Sequence, residues 1–127
     1  MQIYILIACD HLEENQEKKL KKNQPAILSA LQAYADSLPQ AGVVVINDCT
    51  NQSDDEGCDH WQLGIEQSVK KSKQLQLPIN LFNDLAKKFA IDAEVGSVKK
   101  GKREALSYFG AQEGRGDSFM IAQYLDL

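Results

Sequence analysis

The sequence predicts an α+β domain of element order βαββαβ, followed by an additional C-terminal strand and helix. Three observations carry this expectation. Two apolar runs, Ile3 to Cys9 and Val43-Val44-Val45-Ile46, have the composition of strands. Between them, Ile27, Leu31, Tyr34 and Leu38 recur at helical spacing, with Ala30 on the same face. Near the C-terminus, two strand-like segments flank Lys99-Lys100-Gly101-Lys102, which reads as a hairpin tip.

The elements follow in order. Nearly every position of the first run is apolar, which suits a strand covered on both faces. Residues 11–23 are rich in Glu and Lys, with Glu14/Lys18 and Glu17/Lys21 spaced four apart in the favourable order for a helix. Only Leu12 and Leu20 anchor that stretch, so it reads as a solvated helical turn or a loop. Pro25 suits the first turn of the helix that follows, where its missing N–H is no loss. Pro39 and Gly42 end that helix, and Val43 to Ile46 form a second buried strand stopping at Asn47-Asp48. Residues 50–59 form a polar, acidic loop.

The next stretch admits two patterns. Trp61, Leu63 and Ile65 alternate as in a strand, while Trp61, Ile65 and Val69 also fit a helix capped by Asp59. Gly64 and the β-branched residues favour a strand over 61–68. Leu75, Leu77, Ile79 and Leu81 also alternate, although Pro78 would confine such a strand to an edge. A helix from about Asn80 to Ala90 follows, with Leu81, Leu85 and Phe89 on one face beside Phe82 and Ala86. Residues 92–98 and 104–110 form the hairpin, and Gly114 and Gly116 mark a loop. Asp117 or Ser118 caps a last helix carrying Phe119, Ala122 and Leu125.

The first six elements match a ferredoxin-like sandwich. The alternative makes 60–73 helical and 74–79 a strand. The order then becomes βαβαβα, a three-layer doubly wound α/β fold. The chain of 127 residues reads as one domain, residues 1–127, because no linker divides it. Its 43% hydrophobic and 25% charged residues are close to the globular average, so it can bury a core without disulfides or metal.

The N-terminal apolar run is short, ends at Asp10 and has no basic residue before it. That is neither a secretory signal nor a membrane span, which needs ~20 apolar residues. Three cysteines are an odd number, which suits reduced thiols in a cytoplasmic protein better than a disulfide framework. The expectation is a cytoplasmic chain with no membrane partner. A net charge of −4 argues against nucleic-acid binding as its main task, because phosphate contacts demand basic surfaces.

Cys9-Asp10-His11 recurs as Cys58-Asp59-His60, with Asp48-Cys49 between them in sequence. A helical crossover makes the first two strands parallel, so Cys9 and Cys49 fall on one edge of the sheet. The loop returning to the third strand brings Cys58 and His60 to the same edge. Cys9, His11, Cys49, Cys58 and His60 are therefore the weak candidates for a metal site, with zinc as the cofactor that thiolate and imidazole would select. Within each pair only one residue separates the two ligands, which makes joint chelation awkward, and the favoured expectation is no cofactor. The same residues could serve a thiol-dependent enzyme if a His activates a Cys, which is the alternative function. No phosphate-binding glycine loop, nucleophile elbow or His-Glu-x-x-His motif occurs, and no catalytic residue is assigned.

Asp54, Asp55, Glu56 and Asp59 form an acidic stretch without the spacing of an EF-hand. The favoured reading is a small non-enzymatic binding or regulatory protein, of inhibitor, immunity or antitoxin type, that presents this acidic loop to a basic protein partner. A weaker alternative is nucleic-acid binding through the Lys99–Arg103 hairpin, with Tyr108 and Phe109 as stacking residues.

Leu81-Phe82-Asn83-Asp84-Leu85-Ala86-Lys87-Lys88-Phe89, with Ile91 to Gly96 after it, resembles the second helix and fourth strand of the bacterial B-type regulators of ribonuclease E. The resemblance implies an acidic ferredoxin-like protein that inhibits by binding. The Asp-Gly-Trp-Gly stretch of that family is absent, and no site residue is carried over.

Overall fold

A computed structural model describes residues 1–49 and 57–127. Its strands are β1 (Gln2–Ile7), β2 (Val44–Asp48), β3 (Gln62–Ser68), β4 (Asp92–Lys99) and β5 (Lys102–Gly110). Its α-helices are α1 (Glu14–Ser37), α2 (Gln76–Phe89) and α3 (Ser118–Tyr124). The strands form one open sheet in the order β2-β3-β1-β4-β5, and every neighbouring pair is antiparallel.

Residues 62–68 are strand, so the parallel, doubly wound alternative does not hold. Gly64 supplies a physical reason. It sits opposite Leu6, and a Cβ there would run into the β1 backbone at Ile5 and Leu6. Only glycine lets the two strands approach so closely at that point.

Strand alternation sorts the side chains onto two faces. Ile3, Ile5 and Ile7 of β1, Leu63 and Ile65 of β3, and Ala93 and Val95 of β4 join one buried cluster. Leu20, Ile27 and Leu31 of α1 and Ile79, Phe82 and Leu85 of α2 belong to the same cluster, so both helices cover that face. Each Ile, Leu, Val or Phe among them contributes about 1.5–3 kcal/mol on full burial. Tyr34 of α1 donates to the Gln67 side chain at 2.7 Å, which satisfies a buried amide oxygen beneath the helix. The opposite face carries Gln2, Tyr4 and Leu6 of β1 between Glu66 of β3 and Gly96 of β4.

Several elements differ from the expectation. α1 starts at Glu14, not at Pro25, which lies inside the helix. Leu20 is buried, the Gln16 side chain accepts the Glu13 N–H at 2.8 Å, and Glu17 accepts the Cys58 N–H at 2.6 Å. Those contacts fix a stretch whose charges make it look solvated. β2 is an edge strand with Val44 58% exposed, not a buried one. Leu75 ends a 3₁₀ turn (Ser72–Leu75) and α2 begins at Gln76, so the alternation from Leu75 to Leu81 is not a strand. Pro78 then falls in the first turn of α2, where no N–H is required.

The hairpin forms as expected. Lys100 (φ 52°) and Gly101 (φ 75°) make a two-residue turn with both residues left-handed, and a bulge lies between Val95 and Gly96. Asp117 caps α3, accepting the N–H groups of Phe119 at 2.9 Å and Met120 at 3.3 Å. α3 buries Ile121 and Ala122, and Leu125 just beyond it, whereas Phe119 is 69% exposed and off the buried face. Among the described residues, no helix is long and apolar enough to cross a membrane.

Candidate functional site

The antiparallel order gathers four chain segments at one end of the sheet. They are the end of β1, the start of β3, the start of β4 and the end of β5. Ala8 continues the pairing beyond β1 by donating to the Asp92 carbonyl at 2.8 Å. Between these segments lies a cleft of about 890 Å³. That volume falls in the upper part of the range usual for ligand pockets.

The lining is part polar and part apolar. Among the described residues, Asp10, Asp59, Asp92, Glu94 and Glu113 contribute five carboxylates, against Lys19 as the single Lys or Arg. His11 and His60 stand beside Asp10 and Asp59, and Ile7, Leu12 and Ile91 also line the cleft. Two ion pairs occur among the described residues, Glu14–Lys18 and Glu66–Arg103, and neither uses a cleft carboxylate. Among the described residues, no salt bridge therefore neutralises the negative charge of the cleft.

Local hydrogen bonds orient two of the carboxylates. Glu94 accepts the Tyr4 hydroxyl at 2.7 Å and the Tyr108 hydroxyl at 3.1 Å, one on each oxygen. Register causes this arrangement, since Glu94 lies opposite Leu6 on β1 and Tyr108 on β5. Burial, followed by the bond to Glu94 and its charge, holds the Tyr4 phenol well above its ordinary pKa. The bond to Glu94 and its charge also raise Tyr108. One oxygen of Asp92 accepts the N–H groups of Gln112 and Glu113, each at 3.0 Å. The turn that supplies them closes through two bonds between Gly110 and Gly114, at 2.7 and 3.0 Å. Gly110 has φ 144°, and a Cβ there would meet Asp92 and the Ile91 carbonyl, so the turn needs glycine.

Trp61 stands in the cleft wall only 6% exposed. Its Nε1–H is buried and has no hydrogen-bond partner among the described residues. His11 adopts a left-handed backbone, φ 61°, uncommon for any residue with a side chain.

Of the residues singled out from sequence, Cys9, His11, Asp59 and His60 line this cleft. Cys9 and Cys58 are buried, and Cys49 is half-buried. The three thiols lie near enough for Cys58 and Cys49 to act electrostatically on Cys9. Burial, reinforced by these neighbours, pushes Cys9 up to about 12. Burial likewise pushes Cys49 up to about 11, and it raises Cys58. Cys9 donates to the Ile7 carbonyl at 3.3 Å. The thiols are thus protonated near neutral pH, when nucleophilic attack requires a thiolate. Among the described residues, no group of three or more His, Cys, Asp or Glu side chains is placed to hold a metal ion. Asp54, Asp55 and Glu56 lie outside the described residues.

The basic hairpin is divided. Lys99, Lys100 and Lys102 are exposed at the tip. Arg103 turns back across the sheet, bonding Glu66 at 2.8 Å and Gln62 at 3.1 Å, with its guanidinium 5.7 Å from the Tyr4 ring centroid. Phe109 is buried, and the Tyr108 hydroxyl is held by Glu94. Asp92, Glu94 and Glu113 carry no local sequence signal, because only the β1–β4–β5 register brings them to the cleft.

No family model, curated protein or solved structure matches the chain.

Proposed function

We propose that the chain is a non-enzymatic binding protein that receives a basic protein partner in the acidic cleft. The architecture we propose for it is a ferredoxin-like sandwich extended by β5 and α3, a reading supported by the strand order β2-β3-β1-β4 and the helix after β1 and after β3. The observation that carries the function is the lining of the cleft: among the described residues, five carboxylates against one lysine, with no salt bridge among them. A concave site of one sign focuses the field and attracts the opposite charge. Asp59, the described member of the acidic stretch, belongs to this lining. Protonated, buried thiols support binding over thiol chemistry.

The test is fluorescence anisotropy with labelled Lys/Arg-rich and Asp/Glu-rich peptides, at low and high salt. Basic peptides are expected to bind and to weaken with salt. Asp10→Lys and Asp59→Lys, both at exposed positions, are each expected to raise Kd about tenfold, a change of ~1.4 kcal/mol. Equal binding of acidic peptides, or reversals without effect, would remove the proposal.

A further inference from the structure

We infer that the basic partner is a second copy of this chain, which presents its lysine-rich end to the acidic end of the first. This rests on the proposed function and names the partner.

The antiparallel register that builds the cleft also builds the lysine-rich end. Gln2 lies opposite Ser68 on β3 and opposite Val98 on β4. The segments that follow Ser68 and Val98 therefore emerge on either side of the start of β1, at the end of the sheet away from the cleft. Residues 68–74 carry Lys70, Lys71 and Lys73, and residues 98–102 carry Lys99, Lys100 and Lys102. Neither segment contains Asp or Glu. All six lysines are exposed, and among the described residues none of them forms an ion pair. Hydrogen bonds fix the first arm: the Gln74 side chain accepts the N–H of Lys70 at 2.6 Å and of Lys71 at 2.9 Å, and Val69 donates to the Met1 carbonyl at 2.8 Å. The second arm is the hairpin tip, closed by its two-residue turn.

Charge complementarity points to a second copy. One molecule cannot join its own ends, because the six residues of β1, at about 3.3 Å each, set them roughly 20 Å apart. The Debye length near physiological salt is about 8 Å, so neither end neutralises the other within one chain. Between two chains the same opposite charges meet directly. The shapes agree with the charges, since a hairpin tip projects and the cleft is hollow. The two surfaces are different, so the contact is heterologous and runs head to tail. It repeats from copy to copy unless rotation closes a ring.

Sedimentation velocity of the full chain, at ~0.1 M and ~1 M salt, reads the association. Wild type is expected to gain mass with protein concentration at the lower salt and to return towards the monomer at the higher. Lys99→Gln/Lys102→Gln neutralises the basic end, and Asp10→Asn/Asp59→Asn neutralises part of the cleft; all four positions are exposed, and circular dichroism checks each fold. Each double variant alone is expected to weaken self-association about tenfold. Mixed together, they are expected to form a one-to-one pair that grows no further, because one contact of wild-type strength remains between them. A wild-type chain that stays monomeric at about 1 mM, or a mixture that pairs no better than either variant alone, overturns the inference. A monomeric chain that instead holds a single-stranded oligonucleotide through these lysines overturns it in favour of a phosphate partner. A labelled basic peptide, measured alongside, separates the two readings. If the peptide binds while the chain stays monomeric, this inference falls and the acidic receptor stands; if neither occurs, both fall.

Discussion

Asn83 ties α2 to the segment leading into α3, and its removal has a calculable effect. The side chain is buried; its Nδ2 donates to the Gly116 carbonyl at 2.9 Å, and its Oδ1 accepts the Gly116 N–H at 2.7 Å. Asn83→Ala removes both bonds and leaves two main-chain groups of a half-buried glycine without them. At ~1 kcal/mol net per bond, plus part of the desolvation penalty, the loss comes to about 2–3 kcal/mol. Gly116 also lies against the Phe109 ring, where a Cβ would collide with it. Unfolding entropy of roughly 2.1 cal/mol/K per residue converts the loss, in a chain of 127 residues, into a fall in Tm of about 9 °C. Urea denaturation followed by circular dichroism measures it, with the exposed Gln112→Ala as a control. A change within ~0.5 kcal/mol of wild type would show that this pair of bonds does not hold the C-terminal segment.

Tyr34→Phe leaves the buried Gln67 amide oxygen without its 2.7 Å donor and is expected to cost about 1–2 kcal/mol in the same denaturation assay. Lys100→Asn places an Asn-Gly pair in the left-handed turn at φ 52° and 75° and is expected to raise the urea midpoint by ~0.5 kcal/mol of stability. The thiols set a pH dependence: Cys9 is raised from 9.0 to about 12 and Cys49 from 9.0 to about 11 in the folded chain. Their contribution is complete below pH 9, where both states are protonated, and is lost as pH rises from 9 through those values, because the unfolded chain releases its protons first. Stability is therefore expected to fall across that alkaline window, less steeply in Cys9→Ala, and an aromatic disulfide reagent at neutral pH is expected to react slowly until denaturant is added.

What the sequence reveals here depends on how local the cause is. β1 is legible because a central strand touches partners on both sides and is apolar from Ile3 to Ile7. The hairpin is legible because its turn chemistry, Lys100-Gly101, is local. The start of α1 is hidden because its anchors are a side chain accepting a neighbouring N–H and Glu17 reaching Cys58, contacts that no hydrophobic periodicity records. The strand over 62–68 is decided by Gly64 against the β1 backbone, a close approach that the sequence signals through the glycine alone. Half of the cleft follows from topology, since the repeated Asp-His pairs, Asp10-His11 and Asp59-His60, flank strands that end and begin at the same edge. Its other half, Asp92, Glu94 and Glu113, depends on register, and a slip of one residue would turn Glu94 to the opposite face of the sheet.

Trp61 is the sole tryptophan of the chain and stands in the cleft wall, so its fluorescence reports directly on occupancy. Titration of the wild-type protein with oligoarginine, and separately with oligoglutamate, tests the central claim that the acidic cleft receives a basic partner. A saturable change in Trp61 emission is expected with oligoarginine, weakening as salt rises, and none with oligoglutamate. No change with oligoarginine, or the same change with both peptides, would contradict it.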